Sequence, residues 1–343
     1  MCRFNESYLD SKDFLVTSYH ILTCLEVPMH IFGSYVILYK TPKKMESVRI
    51  IMLIYHIVFA YNDIMNSFFL MSYLILPVAA GMSFGFLSHF DFVYKPIQGY
   101  LTMSGLMVTG ITILMFFENR YHVMIHGKHQ SKKRKWLRIL YIGLNYIWSA
   151  FCLLPVYINP PDQMMAHQYI RQVIPCLPEE FITHPDNITI AIDITLLSVI
   201  ITITTISINI QVYIFMFLTV KYLYFTVTTT LSANTKKMQK KLYFALCIQA
   251  VIPTIIIVLP IIYIIFSIMK TYFNQGFNNI ALIFFGFHGL ASTIAMLCIH
   301  QPYREATTKF LVPTKLLEKV KRQRVMAIEY SNNNTRSNRN SIF

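Results

Sequence analysis

Charged residues are scarce in this sequence. Asp, Glu, Lys and Arg make up 13% of its 343 residues, against about a quarter of a typical soluble domain. No formal charge lies between Lys95 and Glu118 or between Lys241 and Lys270. About 20 consecutive apolar residues are enough to cross the hydrocarbon core of a bilayer. These charge-free stretches argue against a soluble protein and in favour of membrane-spanning segments.

Motifs for catalysis are also missing. The sequence has no Gly-rich phosphate loop, no metal-ligand spacing such as HExxH and no nucleophile motif, and its histidines are dispersed. We therefore expect no enzyme, no catalytic residues, no metal site and no cofactor. The apolar runs also lack period-two alternation, which excludes a transmembrane β-barrel.

Seven apolar stretches are long enough to span a membrane. They lie at roughly 14–38, 50–75, 97–117, 137–158, 191–220, 242–269 and 278–300. Because irregular backbone cannot face lipid, each stretch is expected to be a helix. The short connections predict antiparallel neighbours in one bundle. The predicted fold class is an all-α membrane protein with a seven-transmembrane helix bundle.

The basic residues indicate an orientation for this bundle. Of the 30 Lys and Arg residues, 25 fall in segments 40–49, 120–138, 221–241 and the tail from 304, which all lie on one side of the predicted membrane. Since Lys and Arg in short loops favour the cytoplasmic side, the N-terminus is expected outside and the C-terminus inside. The net charge of +14 then reflects topology and contact with anionic membrane lipids, and we expect no nucleic-acid binding.

Three regions follow from this topology. Residues 1–13 form a polar extracellular N-terminus without the basic segment of a cleavable signal peptide, so the first span is expected to be its own signal-anchor. Residues 14–303 form the seven-transmembrane domain. Residues 304–343 form a cytoplasmic tail, with a basic amphipathic helix over 304–326 and a disordered end.

Two sequons and two cysteines lie on the predicted outside. Asn5-Glu-Ser and Asn187-Ile-Thr are expected to be glycosylated. A third sequon, Asn333-Asn-Thr, lies in the predicted cytosolic tail and should stay unmodified. Cys2 and Cys176 share an oxidising compartment, so a disulfide between them is one possibility that sequence leaves open.

Two acids lie within predicted spans. A charge at the centre of a lone spanning helix costs roughly 2.5–3.5 kcal/mol, so Glu26 and Asp63 are expected to face the bundle interior. Asp63 shares a polar stripe, at helical spacing, with His56, Asn62, Asn66 and Ser67. The stripe predicts either an ion-and-water cluster that rearranges between two states or interhelical hydrogen bonds that fix packing.

The sequence Glu118-Asn-Arg-Tyr closes the third span where it meets a basic loop. An acid two residues before an arginine can restrain that side chain in one state and release it to a cytoplasmic partner in another. The alternative is an interfacial charge pair of little energetic weight. The candidate switch and partner-binding residues are Glu118, Arg120, Tyr121, Lys236, Lys237 and Arg304.

Small-molecule sites combine aromatic walls with a few polar groups, although ordinary bundle packing does so too. At the outer halves of the third, fifth, sixth and seventh spans the candidates are Gln98, Tyr100, Met103, Asp193, Tyr263, Phe266, Asn279, Phe285 and His288. Pro253 and Pro260 each remove a backbone hydrogen bond from the sixth span and predict kinks that suit a moving helix, as they would a static one.

Six short segments carry a family resemblance. They are His30-Ile-Phe-Gly-Ser-Tyr, Lys40-Thr-Pro-Lys-Lys-Met, Ala80-Gly81, Glu118-Asn-Arg-Tyr, Pro175-Cys-Leu-Pro and Gln301-Pro-Tyr-Arg. On these segments, residues 15–312 resemble the nematode serpentine chemoreceptors of class H. The resemblance implies a G-protein-coupled receptor of chemosensory neurons, in the plasma membrane of the sensory cilium. It implies a small-molecule ligand and a heterotrimeric G protein as partners.

By the same resemblance, Glu118 and Arg120 match the acid–arginine switch of such receptors. The sequence departs from rhodopsin-like receptors in having no cysteine near 95–100 and no Asn-Pro-x-x-Tyr in the seventh span. The switch chemistry of that family is therefore not transferred as a whole.

Two other classes of protein remain as alternatives. A seven-span ligand-gated channel of the invertebrate odorant-receptor type would have the opposite orientation, against which the basic residues argue. A small-solute transporter would show two related halves with broken helices, and the sequence has no internal repeat.

Overall fold

The computed structural model describes residues 7–90, 93–126, 131–226 and 233–312. In chain order its helices are α1 (Lys12–Lys40), α2 (Glu46–Ile64), α3 (Lys95–His126), α4 (Lys132–Phe151), α5 (Leu154–Ile158), α6 (Gln163–Val173), α7 (Glu179–Ile182), α8 (Thr195–Lys221), α9 (Ala233–Lys270), α10 (Gln275–Ile299) and α11 (Gln301–Leu311). Seven helices are long and apolar enough to cross a membrane: α1, α2, α3, the fourth span formed by α4 and α5, and α8, α9 and α10. The predicted seven-helix fold class is confirmed.

Polar caps and prolines set several helix ends. The Ser11 side chain accepts a hydrogen bond from the Phe14 N–H at 3.1 Å and starts α1. The Asn274 side chain accepts one from the Phe277 N–H at 3.0 Å and starts α10. Both residues satisfy backbone donors that have no partner within their own helix. The first span stops just before Pro42, which cannot continue a helix.

The second span is shorter than the apolar stretch 50–75 predicted. α2 continues as a π-helical turn over Met65–Leu70, and Met71 then adopts a left-handed conformation with φ 43°. The following apolar residues form strand β1 (Ser72–Ile75), which pairs antiparallel with β2 (Ala79–Ser83). An apolar run does not by itself distinguish a helix from a buried strand, so these residues were wrongly included in the span.

A third strand, β3 (Ile188–Ala191), pairs with β2 and completes a small antiparallel sheet in the order β1-β2-β3. The sequence predicted no strand. We call the end of the bundle that carries this sheet, together with α6 and α7, the sheet end, and the opposite end, which carries α11, the α11 end.

Helices α3 and α10 form the centre of the bundle. In their most apolar windows 67% of residues are buried, against 11% in the fourth span and 17% in α8 and in α9. One apolar cluster, around Tyr19 and Tyr73, lies at the sheet end, and another, around Phe117 and Tyr303, lies at the α11 end. The outer helices expose apolar side chains such as Trp148, as a surface that faces lipid requires.

Two predictions involve residues that lie outside the described part of the chain. Cys176 is in a disulfide, and Cys2, its suggested partner, lies outside the described part of the chain. Of the basic helix predicted over 304–326, the structure describes α11, which ends at Leu311. The residues from 313 onward lie outside the description.

The sequon asparagine Asn187 is buried. Only 3% of its surface is exposed, and its Nδ2 donates a hydrogen bond to the Ile182 carbonyl oxygen at 3.3 Å. Thr189, the third sequon residue, is fully buried in β3. A glycan needs a solvent-exposed amide nitrogen, so this burial argues against the glycosylation predicted for Asn187. Asn5, the other predicted site, lies outside the described residues.

We therefore predict that Asn187→Gln leaves the electrophoretic mobility of the expressed protein unchanged, both before and after glycosidase treatment. Asn5→Gln is the matched change and should abolish the glycosidase shift. A shift that disappears with Asn187→Gln would show that this loop folds differently.

Candidate functional site

The carboxylate of Asp63 lies where three spanning helices meet, and it is fully buried. Its Oδ1 accepts a hydrogen bond from the Gly289 N–H of α10 at 3.0 Å. Its Oδ2 lies 3.1 Å from His30 Nε2 of α1, and His288 Nδ1 lies 3.1 Å from Oδ1. Since an unpaired carboxylate inside a bilayer is costly, the Gly289 N–H and the two adjacent imidazole rings stabilise it. His288 Nδ1 also lies 2.6 Å from the Phe285 carbonyl oxygen. The Asp63 side chain thus joins α1, α2 and α10.

A second layer of contacts extends from this centre. His56 Nε2 lies 2.9 Å from the His30 carbonyl oxygen, and it must donate there because a carbonyl oxygen can only accept. The Thr293 hydroxyl lies 2.9 Å from the Gly289 carbonyl oxygen and 3.2 Å from His30 Nδ1. The helices α1, α2 and α10 are therefore connected both through Asp63 and through these second contacts.

Glu26 has its own partners beside this network. Ser67 Oγ donates to Glu26 Oε2 at 2.6 Å, and the Thr23 hydroxyl donates to Ser67 Oγ at 3.1 Å. Glu26 and Asp63 are both fully buried, which confirms that both acids face the interior.

The polar stripe of α2 divides between two neighbours. Asn66 Nδ2 donates within the helix, to the Asn62 carbonyl oxygen at 2.9 Å. The Asn62 side chain packs against Gly105 of α3, where an added Cβ would clash with its Oδ1. Asp63 contacts His30 of α1 and Gly289 of α10. The stripe therefore packs α2 against α3 on one side and against α1 and α10 on the other.

Two glycines, Gly289 and Gly33, permit the polar groups of neighbouring helices to approach this closely. A Cβ built on Gly289 would lie 2.7 Å from Asp63 Cγ, and one on Gly33 would lie 2.7 Å from His56 Cε1. Both distances are shorter than a Cβ tolerates. Glycine at these two positions therefore lets the polar groups of α2 reach the backbones of α10 and α1.

Glu118 pairs with α4 and not with the arginine two residues on. Arg138 Nε and one terminal nitrogen donate to the two Glu118 carboxylate oxygens at 2.6 and 2.8 Å. His122 Nε2 lies 3.3 Å from Glu118 Oε1. This two-pronged ion pair is largely shielded, with side-chain exposures of 3% for Glu118 and 19% for Arg138. The expected restraint of Arg120 by Glu118 is not what the structure shows.

Arg120 is buried, with 6% of its surface exposed. Tyr243 of α9 lies near it, and the Tyr243 hydroxyl donates to the Met216 carbonyl oxygen of α8 at 2.8 Å. Arg120 Nε has no hydrogen-bond partner among the residues that the structure describes. Tyr121 packs its ring against Phe215, with centroids 5.7 Å apart. The arginine therefore sits between α3, α8 and α9.

The turn from α10 to α11 fixes the end of the bundle. Burial lowers the pKa of His300 to about 4, and the neutral ring donates from Nε2 to Gln249 Oε1 of α9 at 2.9 Å. The Tyr303 hydroxyl lies 2.8 Å from Thr41 Oγ1 at the end of α1. Arg304 donates to the Cys298 carbonyl oxygen at 3.1 Å and is exposed.

Two further basic candidates lie on α9. Lys237 is exposed at the α11 end. Lys236 precedes it in the same helix, and its side chain lies outside the described part of the chain. The exposed side chains of Arg304 and Lys237 thus lie at the same end of the bundle as the buried Arg120 of α3.

A cavity of about 1480 Å³, including its opening to solvent, lies at the sheet end. Its walls come from the hairpin β1–β2, β3, α3, α8, α9 and α10, and most of the lining is aliphatic. Lys95 and Asp186, which both line it, form an ion pair that joins the start of α3 to the chain before β3. The cavity has the mainly apolar wall of small-molecule sites.

Three of the predicted pocket residues line this cavity, namely Gln98, Met103 and Phe285. The described lining does not include Tyr100, Asp193, Tyr263, Phe266, Asn279 or His288. Their positions explain this: for example, the Tyr100 hydroxyl donates to the Ala150 carbonyl oxygen, and Tyr263 bonds Asn278 at 2.7 Å. His288 lies deeper, beside Asp63.

Sequence reasoning missed the wall made by the hairpin, including Leu74, Val78 and Gly81. Pro77 and Gly81 were the available signals, because proline and glycine within an apolar run indicate a turn. Sequence reasoning also missed Arg138 as the partner of Glu118, which lies 20 positions away and was counted only as loop charge.

Three comparisons relate the chain to known proteins. The family model described as "Serpentine type 7TM GPCR chemoreceptor Srh" matches residues 10–313. The chain is 27% identical over 324 residues to "Serpentine receptor class H-72" of Caenorhabditis elegans, covering 92% of this chain and 90% of that protein. Among solved structures it is similar to squid rhodopsin, with 12% identity, a TM-score of 0.46 and coverage of 89% of this chain and 87% of the other.

We predict that Gly289→Ala lowers the free energy of unfolding by roughly 1–3 kcal/mol, because the new methyl group must displace Asp63. Unfolding of the purified protein in mixed SDS micelles measures this. Gly143→Ala is the control, since a Cβ there meets nothing within 4 Å and alanine favours a helix. Equal stabilities of the two variants would contradict the packing described for Asp63.

A second prediction concerns the Glu118–Arg138 pair. In a double-mutant cycle of Glu118→Gln and Arg138→Gln, we expect a coupling energy of about 2 kcal/mol, because each single change leaves a shielded charge without its main partner. The same measurement on Arg171 and Glu179, an ion pair with side-chain exposures of 45% and 59%, should give a much smaller coupling. Equal couplings would show that burial does not strengthen the first pair.

Proposed function

The chain belongs to the Srh family of serpentine seven-transmembrane chemoreceptors, and on this premise we propose that it is a chemosensory receptor that activates a heterotrimeric G protein. A small molecule binds in the cavity at the sheet end. The G protein binds at the α11 end. The protein works in the plasma membrane of a sensory cilium, with the N-terminus outside and the C-terminus inside. The family is of receptor type, not an enzyme family.

The observation that carries this proposal is the position of α3 between two sites. Gln98 and Met103 of α3 line the cavity, and Arg120 is buried at the opposite end of the same helix. The 22 residues from Gln98 to Arg120 correspond to about 33 Å at 1.5 Å per residue. One rigid helix therefore contacts both the proposed ligand and the proposed partner site.

The orientation is supported by the basic residues. Twenty-five of 30 Lys and Arg residues fall in the sequence segments that the predicted topology assigns to the side of the α11 end, and such bias favours the cytoplasm. Exposed basic side chains there, including Lys237 and Arg304, suit an acidic surface on a cytoplasmic partner. Lys236 and Tyr121 belong to the same proposed contact region, and Glu118 positions it through Arg138.

Helix α9 is the proposed moving element. Only 17% of its most apolar window is buried, against 67% for α10, so its displacement disturbs less of the core. Pro253 and Pro260 lie inside it and weaken its backbone hydrogen bonding. Its residue Tyr243 lies beside Arg120. Outward movement of α9 would therefore open the site around this arginine.

The polar network around Asp63 is proposed to hold the remaining helices in place during that movement. Asp63 joins α1, α2 and α10, while Asn62 and Asn66 fix the α3 side of α2. A ligand shifts the balance between two states only by its differential affinity for them. A fixed set of helices beside a mobile α9 gives the cavity two shapes, and so permits that difference.

We predict that Arg120→Ala lowers receptor-dependent nucleotide exchange at least about tenfold, the change expected when a contact of 1.4 kcal/mol is lost. Exchange is measured on co-expressed G proteins, with a mixture of volatile alcohols, ketones and esters as the stimulus and with surface expression matched. Lys270→Ala, a basic residue at the sheet end of α9, is the control and should leave exchange unchanged.

Two results would contradict the proposal. One is nucleotide exchange by Arg120→Ala equal to that of the unmodified protein. The other is a stimulus-evoked membrane current in cells without G proteins, which would indicate a channel.

A further inference from the structure

Three serine hydroxyl groups in the cavity wall already have acceptors within the protein. Ser88 Oγ donates to the Gly85 carbonyl oxygen at 2.7 Å, and Ser198 Oγ donates to the Thr195 carbonyl oxygen at 2.9 Å. The Ser83 hydroxyl donates to the Leu70 carbonyl oxygen, at the end of the π-helical turn that follows α2. These groups therefore offer the cavity interior little free hydrogen-bonding capacity as donors.

The charges in the wall are also satisfied. Within the described lining, Lys95 and Asp186 are the charged residues, and they bond each other. Lys95 Nζ donates as well to the Pro185 carbonyl oxygen at 3.0 Å. A charged ligand in this mainly aliphatic space would have to break that pair or remain unpaired, and both are costly.

Gln98 is the exception. Its side chain lines the cavity and is 96% buried, with 4% exposed. Its Oε1 accepts no hydrogen bond from the part of the protein that the structure describes. A buried acceptor without a donor carries a free-energy penalty that a ligand can remove. An acceptor without a donor therefore lies at a defined position on α3, in a residue that lines the cavity.

We propose that the cavity binds an uncharged, mainly apolar molecule carrying a hydroxyl group, which donates its hydrogen bond to Gln98 Oε1. The apolar part of the ligand lies against the aliphatic side chains of the hairpin, α8 and α9, such as Leu74, Ile201 and Ile264. Burial of this surface provides affinity, and the hydroxyl fixes the orientation. The inference rests on the proposed function only in taking this cavity as the ligand site of the receptor.

A binding site with a buried acceptor discriminates strongly against a ligand that has no hydrogen-bond donor, because the acceptor then stays unpaired. A methyl ether isomeric with a primary alcohol has the same atoms and nearly the same volume, but it cannot donate. Such isomeric pairs therefore isolate the hydrogen bond from hydrophobic burial.

The test uses the purified full-length protein in lipid nanodiscs and equilibrium binding of radiolabelled compounds. The probes are isomeric pairs of an alcohol and an ether with about six to twelve carbon atoms each, which is on the order of the size of small ligands. One such pair is 1-octanol and heptyl methyl ether. Octanoate and octylammonium are the charged counterparts. Uptake by empty nanodiscs is subtracted, because all these probes partition into lipid.

We expect the alcohol of at least one pair to bind about tenfold more tightly than its ether, and both charged counterparts to bind more weakly still. Gln98→Leu, which keeps the approximate size of the side chain, should reduce the alcohol–ether ratio to about one while the ether still binds. Gln211→Leu is the matched control: Gln211 bonds Tyr141 of α4, does not belong to the described cavity lining, and should leave the ratio unchanged.

The inference would be overturned by equal binding of alcohols and ethers across the series, or by a preference for the alcohol that survives Gln98→Leu. Tighter binding of a charged counterpart, or no binding of any probe, would also overturn it. Nucleotide exchange is recorded separately with the same compounds. Alcohol-selective binding without exchange would contradict the proposed function and leave the chemistry of the cavity standing. Nucleotide exchange that is stimulated equally by alcohol and ether would support the proposed function and contradict the inferred chemistry of the cavity.

Discussion

The buried carboxylate of Asp63 is the interaction on which the arrangement of the bundle depends. It accepts hydrogen bonds at a point where no solvent can replace them, so its partners on α1 and α10 must stay within about 3 Å. That requirement explains why Gly289 has no side chain facing it. It also helps to hold α10 in the interior, where 67% of its most apolar window is buried.

Around this fixed centre the two ends of the molecule differ in character. The sheet end contains an apolar cavity with one unpaired amide oxygen, on Gln98. The α11 end contains a buried guanidinium, on Arg120, and exposed basic side chains. Helix α3 contributes to both, and α9 packs over both while burying little of its own surface. In the proposed mechanism α3 connects the two ends while α9 moves beside it.

The helical part of the fold was predictable because a bilayer imposes length and apolarity on each span. The hairpin after Leu70 was not, since residues 72–75 are as apolar as the helix before them and only pairing with Ala79–Ser83 makes them a strand. Asp63 and Glu26 could be placed in the interior from charge alone. Their partners could not, because His30 and Gly289 are distant in sequence and meet Asp63 only through helix packing. For the same reason Arg138 was not recognised as the partner of Glu118.

In the proposed orientation the cavity faces the exterior and the Arg120 end faces the cytosol. Immunostaining of cultured cells that express the full chain with one epitope before Met1 and a different epitope after Phe343 tests it directly. The account predicts that the first epitope is stained on intact cells and the second only after permeabilisation. Staining of the second epitope on intact cells would place the basic face outside and contradict G-protein activation.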